Sequence, residues 1–169
     1  MTPITYPGPL MRPVPTFSMD IPVDWVVTEF PNALFLISTL LEPDAGGPWS
    51  NVIVRHERVL PSVSLESYSA WTWQSLVADF PDAVIKESVH IQFACLHLLR
   101  DAEVHWPTDK DLAARIDSFV FGPDTEHPTR DLFQFTWLNP SAAGDERKLI
   151  YVDMLRSIRF DAKGVESGD

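Results

Sequence analysis

Near its N-terminus the chain reads Phe17-Ser-Met-Asp-Ile-Pro-Val-Asp-Trp25, and this segment constrains the architecture more than any other. The apolar residues at 17, 19 and 21 alternate with polar residues, which is the period of a half-buried strand. Pro22 lacks the N–H group that a sheet ladder needs, so the strand stops there, and Trp25 restarts the apolar pattern after a tight turn. The segment therefore predicts an early strand that ends in a Pro-x-x-Trp turn.

Beyond this turn the chain alternates between strand-forming runs and two helical segments. We expect strands in 26–41 (broken near Pro31-Asn32), 49–60, 84–93, 112–121, 132–138 and 158–160. Ser64 is placed to cap a helix that ends near Phe80, before Pro81, and a second helix is expected over about 145–157. The segment 94–105 fits the helical and the strand period equally well. This order predicts an α+β fold, in which helices pack against an antiparallel β-sheet.

The length and composition favour a single domain. The chain has 169 residues, 45% of them hydrophobic, enough to bury roughly two-thirds of its unfolded surface. We expect a proline-rich N-terminal arm at 1–15, one α+β domain at 16–160 and a flexible tail at 161–169. The net charge of −11 argues against nucleic acid and anionic membranes as partners. Since no segment reads as an export signal or a membrane span, we expect a cytoplasmic protein.

Several short motifs carry a resemblance to a known family. They are the turn Ile21-Pro-Val-Asp-Trp25, the strand start Asn51-Val-Ile-Val54, the helix start Ser64-Leu-Glu-Ser67 and the ending Met154-Leu-Arg-Ser-Ile-Arg-Phe160. In these motifs the chain resembles PsbP-like domains, and in particular the LpqN-type proteins of actinobacteria. The resemblance implies a non-enzymatic fold used for binding, whose members serve as assembly subunits, cargo chaperones or envelope lipoproteins. The chain departs from the lipoprotein members, because it has no lipidated N-terminal cysteine.

The residue types that carry chemistry are few and scattered. The histidines are His56, His90, His97, His105 and His127, and none has the spacing of a zinc motif. Cys95 is the single cysteine, and its apolar neighbours are typical of an unreactive thiol. The glycine pair Gly46-Gly47 precedes Pro48 instead of a helix start, which argues against a phosphate loop. We therefore expect no catalytic residue, no metal and no cofactor.

The aromatic residues of the first helix suggest two faces. At about 100° per residue, a stripe predicted to face the core contains Trp73, Leu76, Val77 and Phe80. Tyr68 and Trp71 then fall on the opposite side, where something must cover them. We hypothesise that both bind a partner, since Trp and Tyr are typical interface anchors. The alternative, equally open at this point, is that the N-terminal arm with Tyr6 covers them.

The strands at 112–121 and 132–138 carry a second aromatic pattern. Period two places Phe119 and Phe121 on one face of the first strand, and Phe133, Phe135 and Trp137 on one face of the second. If the two faces coincide, five aromatic rings form one wall. The favoured interpretation is core beneath the C-terminal helix. The alternative is an apolar ligand pocket formed by Phe119, Phe121, Phe133, Phe135, Trp137, Tyr151 and Leu155.

These observations predict a non-catalytic cytoplasmic protein that binds or assembles through protein–protein contacts. Its partner is an unidentified protein or a second copy of the chain in a homodimer. The alternative function is a carrier of a small apolar ligand, held between the sheet and the C-terminal helix. An enzyme is disfavoured, because no set of residues with catalytic spacing is present.

Overall fold

The computed structural model describes residues 13–39, 50–79, 81, 84–92, 96–105, 112–123, 127–140 and 144–161. Its elements are β1 (Phe17–Ser18), β2 (Trp25–Thr28), β3 (Phe35–Thr39), β4 (Asn51–Val59), α1 (Leu65–Asp79), β5 (Val84–Gln92), β6 (Leu96–His105), β7 (Leu112–Phe121), β8 (Arg130–Pro140), α2 (Gly144–Arg156) and β9 (Arg159–Phe160). Most of the predicted arm and tail, together with Cys95, lies outside these ranges.

Seven of the described strands form one sheet, in the order β2-β3-β4-β8-β7-β6-β5. All neighbouring pairs for which the register is defined are antiparallel. The segment that fitted both periods is strand from Leu96 to His105, because β6 pairs with β5 on one side and β7 on the other. The predicted α+β fold with an antiparallel sheet and packed helices is confirmed.

The two helices cover opposite faces of this sheet. On one face α1 places Leu65 and Tyr68 against Phe119 and Leu132. On the other face α2 contributes to the main core, which contains Trp25, Ile37, Val52, Val54, Ile116, Val120, Phe133, Phe135, Trp137, Tyr151, Met154, Leu155 and Ile158. The Tyr151 hydroxyl donates to the carbonyl of Phe135 at 2.9 Å, which ties α2 to β8. The architecture is therefore helix, sheet and helix in three layers.

The opening segment lies on the α2 side of the sheet. Phe17 and Ser18 pair with Phe160 and Arg159 in a separate two-stranded ladder, so the regular strand is shorter than the sequence pattern suggests. The alternation nevertheless persists to residue 21, with apolar side chains half-buried and polar ones exposed. The predicted Pro-x-x-Trp turn is present, since the Trp25 amide donates to the Pro22 carbonyl at 3.0 Å.

Hydrogen bonds fasten this segment to the end of α2. The Asp20 amide donates to the Ser157 hydroxyl at 2.8 Å, and the Asp161 amide donates to the Thr16 carbonyl at 3.1 Å. The Phe17 ring lies 5.3 Å from that of Phe133, measured between centroids, and also contacts three other phenylalanine rings. These contacts hold the opening segment in place beside the sheet.

The predicted break near Pro31-Asn32 is the hairpin turn between β2 and β3. The Ala33 amide donates to the Phe30 carbonyl at 3.2 Å, and Asn32 has φ of 58°. Proline at the second position and a positive φ at the third are the marks of a type II turn. The turn pairs β2 with β3, and among the described strands β2 lies at the edge of the sheet.

Candidate functional site

The aromatic wall predicted from the strand pattern is split between the two faces of the sheet. In the β7–β8 pairing Phe119 lies opposite Gln134, so it shares a face with Gln134 and not with Phe133 or Phe135. Phe119 and Phe121 therefore face α1, whereas Phe133, Phe135 and Trp137 face α2. The expectation of one continuous wall is wrong. A strand pattern fixes the faces within each strand, but only the pairing register fixes them between strands.

The residues assigned to the alternative apolar pocket beneath α2 consequently belong to two separate core clusters. Phe133, Phe135, Trp137, Tyr151 and Leu155 are buried together, and the Trp137 and Tyr151 rings stack 5.7 Å apart. The remaining members of the predicted set, Phe119 and Phe121, pack beside Tyr68 on the other face. The favoured interpretation, core beneath the C-terminal helix, agrees with the positions of Phe133, Phe135 and Trp137 but not with those of Phe119 and Phe121. Because they lie on opposite faces of the sheet, the two groups do not enclose a common ligand cavity.

The two aromatics assigned to the outer face of α1 have different surroundings. Tyr68 is 7% exposed and its ring meets that of Phe119 at 5.6 Å, so its assignment to the outer face is wrong. Trp71 is 57% exposed, as expected. Its ring lies 5.6 Å from that of Tyr68, at the rim of the groove between α1 and the sheet. A partner-binding role for either residue stays a prediction.

Buried polar side chains line the sheet beneath α1. Asp117 Oδ1 accepts hydrogen bonds from Thr136 Oγ1 at 2.7 Å and from Gln134 Nε2 at 3.1 Å. Arg115 adds a two-pronged contact, with Nε 2.8 Å from Oδ2 and Nη2 3.1 Å from Oδ1. Because each carboxylate oxygen already has donors, this cluster stabilises the β7–β8 pair instead of awaiting a ligand.

Tyr68 joins this region through its hydroxyl group. Burial raises the pKa of Tyr68 well above its usual value, and the charge of Glu57 and a hydrogen bond to that carboxylate raise it further. Arg55 has the opposite, smaller effect. The phenol therefore keeps its proton at neutral pH and acts as a donor to Glu57. The Tyr68 hydroxyl is therefore a structural hydrogen-bond donor.

A second polar cluster lies on the α2 face. Asp131 has a fully buried side chain, and its Oδ1 lies 2.9 Å from His56 Nε2 and 3.4 Å from Arg58 Nε. A His–Asp pair resembles part of a catalytic set, but the His56 ring packs against Phe133 at 5.0 Å. Among the described side chains no group of three or more His, Cys, Asp and Glu can hold a metal ion. His56 is thus a satisfied histidine, the interpretation that the sequence favoured.

An apolar groove opens at the β2 edge of the sheet. It has a volume of about 520 Å³, and nearly all of its lining is apolar. One wall is the opening segment and the floor is the β2–β3 hairpin. The lining residues are Val14, Pro15, Thr16, Phe17, Ser18, Met19, Ile21, Val27, Leu34, Phe35 and Ile37. Exposed apolar side chains border it, with Val27 54% and Leu34 38% exposed.

The sequence pattern gave no indication of this groove. It forms because β1 pairs with β9, which follows it by more than a hundred residues, and this pairing holds the opening segment beside the hairpin. The alternation in Trp25–Thr28 places Val27 on the same face as Trp25, but it does not show that Val27 lies in an open groove. Within the described part of the chain, neither helix is long and apolar enough to cross a bilayer.

The fold is similar to that of other solved structures, two of which are LpqN and PA94. Comparison with family models and with curated proteins gives no match. The crystal structure of LpqN, involved in cell envelope biogenesis of Mycobacterium tuberculosis, superposes with a TM-score of 0.67 at 11% identity, covering 94% of this chain and 89% of LpqN. PA94 of Pseudomonas aeruginosa, a protein of unknown function suggested to be a regulator, gives 0.54 at 10% identity, covering 79% and 94%. The chain therefore shares the fold of LpqN, at an identity that carries the fold alone.

Proposed function

We propose that this protein is a non-catalytic binding protein that holds another protein at the apolar groove beside β2. The observation that carries the proposal is the groove itself, a solvent-open apolar concavity with Val27 and Leu34 at its border. Contiguous exposed apolar surface on a soluble domain is typical of an interaction site, because leaving it in water forgoes hydrophobic stabilisation. The two polar clusters described above, around Asp117 and Asp131, are internally bonded.

The groove is suited to a protein partner because its wall is held in place before binding. Hydrogen bonds from Asp20 and Asp161, together with the Phe17 ring contacts, fix the opening segment. A surface that is already ordered loses little conformational entropy on association. Burying the groove therefore yields more net affinity than burying an equally apolar but unordered surface.

The proposal also includes a protein family and a cellular location. The LpqN-like fold and the short motifs described above support membership of the PsbP-like, LpqN-type group of actinobacterial proteins. A cytoplasmic location stays a prediction, and fractionation of the host cell followed by detection of the protein would test it.

Site-specific photo-crosslinking in the host cell tests the groove directly. A photoreactive phenylalanine analogue at position 27 is expected to give discrete adducts with a protein, and Leu34→Asp in the same chain should abolish them. The control places the analogue at Gln74, an exposed polar position on α1. Adducts from position 71 but not from 27 would move the contact to Trp71, and adducts from neither position would overturn the proposal.

A second candidate function is carriage of a small apolar ligand. The groove volume lies within the range of ligand pockets, and its lining is of the required chemistry. This candidate keeps the ligand class predicted from the sequence but moves the site from beneath α2 to the β2 edge on the same face of the sheet. Native mass spectrometry of protein purified from its host would favour it if an apolar molecule co-purifies and is lost with Leu34→Asp.

A further inference from the structure

We propose that the partner presents an extended segment of alternating apolar and basic side chains, which adds as a new strand to the free edge of β2. This inference rests on the proposed function and specifies its partner.

The first observation is the edge itself. In the described sheet, β2 pairs with β3 on one side and with no strand on the other. An edge strand presents backbone N–H and C=O groups that can pair with another chain. Val27 and Thr28 are exposed on this strand, and no charged residue or proline interrupts it between Trp25 and Thr28. Within Trp25–Thr28 the edge thus carries neither a charged side chain nor a proline that would block strand addition.

The second observation is the charge beside the edge. Residues 13–39 contain three carboxylates, Asp20, Asp24 and Glu29, and no Lys or Arg. Asp24 directly precedes β2 and Glu29 directly follows it, so acidic groups flank both ends of the strand. All three are exposed, and none forms an ion pair with another described residue. Such an edge favours a basic partner and repels an acidic one.

The third observation is the side on which the groove opens. Val27 lies in β2 and also lines the groove, and its pairing opposite Ile37 places it on the core face of the sheet. In an added strand, alternate side chains would point to this face and the others away from it. Apolar side chains on the groove side and basic side chains on the other would satisfy both surfaces, which is the β-augmentation mode of recognition.

The same charge argues against a second copy of this chain as the occupant. Antiparallel pairing of two β2 strands would bring the acidic ends of both copies together without a basic residue from 13–39 to offset them. The whole chain carries a net charge of −11, which adds long-range repulsion. A homodimer through this edge is therefore an outcome that the test must exclude.

The probe is a synthetic peptide of about eight residues that alternates Val and Lys, with both ends capped. Isothermal titration calorimetry with the full chain is expected to show binding that weakens as salt rises from about 50 to about 300 mM. A peptide with Glu in place of every Lys should not bind. A peptide N-methylated at alternate amides should lose binding as well, because it cannot form the ladder while its side chains are unchanged.

Protein variants locate the site. The triple variant Asp20→Asn, Asp24→Asn, Glu29→Gln should bind the Lys peptide about tenfold more weakly, the sum of three modest surface attractions. The matched control, Glu66→Gln, Asp79→Asn, Asp153→Asn, removes the same charge from the two helices and should bind as the parent does. In the complex, the amides of β2 that point away from β3, which belong to alternate residues of the strand, should gain protection from hydrogen exchange.

The outcomes separate the two proposals. Equal affinity for the Lys and Glu peptides, or equal effects of the two triple variants, would overturn the basic partner. Undiminished binding of the N-methylated peptide would overturn strand addition. In each of these cases adducts from position 27 in cells would leave the proposed function standing. Dimerisation of the free protein that Val27→Asp abolishes would instead identify a second copy as the occupant and overturn the inference.

Discussion

Asn32 shows how one backbone angle shapes the β2 edge. Its φ of 58° lies in the left-handed region, which costs most residues roughly 1–2 kcal/mol but suits Asn and Gly. Asn32→Ala should therefore lower the free energy of unfolding by about 1 kcal/mol, and Asn32→Gly should change it by only a few tenths. Urea denaturation of both variants measures the difference. Equal losses would show that the side chain, not the backbone angle, matters at this position.

The raised pKa of Tyr68 predicts that the free energy of unfolding falls in alkali. Burial and Glu57 raise its pKa in the folded state above the value near 10 of an unfolded tyrosine. As pH rises past about 10 the unfolded state loses the phenolic proton first, so stability is full below that pH and falls above it. Burial raises the pKa of Tyr151 in the same direction. Both residues thus weaken the fold in alkali.

The variant Tyr68→Phe separates this contribution. Urea midpoints between about pH 8 and about pH 11 should fall less steeply than those of the parent chain, with a residual slope from Tyr151. The matched control is Trp71→Phe, which changes the exposed neighbouring ring without removing a titrating group and is expected to keep the parental slope. An unchanged slope in Tyr68→Phe would mean that its hydroxyl titrates equally in both states.

Among the elements, α1 shows which parts of a helix the sequence predicts. Its start follows from Ser64, whose hydroxyl accepts from the Ser67 amide at 3.1 Å, while the Ser67 hydroxyl accepts from the Ser64 amide at 3.0 Å. Its buried face did not follow from residue size. The stripe on the sheet contains Leu65, Tyr68, Ser69 and Leu76, which lies about 70° from the centre of the bulky stripe around Trp73 and Val77.

The reason is that the sheet beneath α1 is partly polar. Gln134, Thr136 and Asp117 are directed to this face, and Glu57 accepts the Tyr68 hydrogen bond. A helix over such a surface buries a small serine and a tyrosine with a polar end, and leaves Trp73 only half-buried. Hydrophobic periodicity alone does not contain this information, since it belongs to strands elsewhere in the chain.

The two aromatics of α1 should consequently respond differently to truncation. Tyr68→Ala removes a buried ring that packs on Phe119 and is expected to cost about 3 kcal/mol or more. Trp71→Ala removes a mostly exposed ring and should cost less than about 1 kcal/mol. Chemical denaturation compares them. Similar costs would show that Trp71 is covered in solution by a part of the chain or by another copy.

Across the whole fold, local order was predictable and long-range contact was not. The bounds of β7 were predicted to the residue, because strand alternation and flanking turn residues are local. The split of the aromatic wall depends on the β7–β8 register, and the groove depends on β1 meeting β9. The β7–β8 register and the β1–β9 pairing each join separate segments of the chain. A single sequence contains no local pattern that predicts either pairing.

Phe17 contacts several elements that are distant in sequence, so a substitution at this residue tests how these elements are held together. Its ring contacts Phe35 of the hairpin, Phe133 and Phe135 of the central sheet, and Phe160 of β9. Phe17→Ala should therefore cost about 2–4 kcal/mol, and it should also open the wall of the groove. Val14→Ala, which trims an exposed residue of the same groove, should be nearly neutral for stability.

The two effects of Phe17→Ala can be measured separately. Denaturation gives the stability loss, and calorimetry with the Val–Lys peptide, under conditions where the variant is fully folded, gives the loss of binding. We expect both, because the residue that joins the opening segment to the core also holds the groove open at the correct width. A stable variant that still binds would show that the opening segment neither supports the fold nor forms the wall of the site. A destabilised variant with parental affinity would leave β2 alone as the binding element.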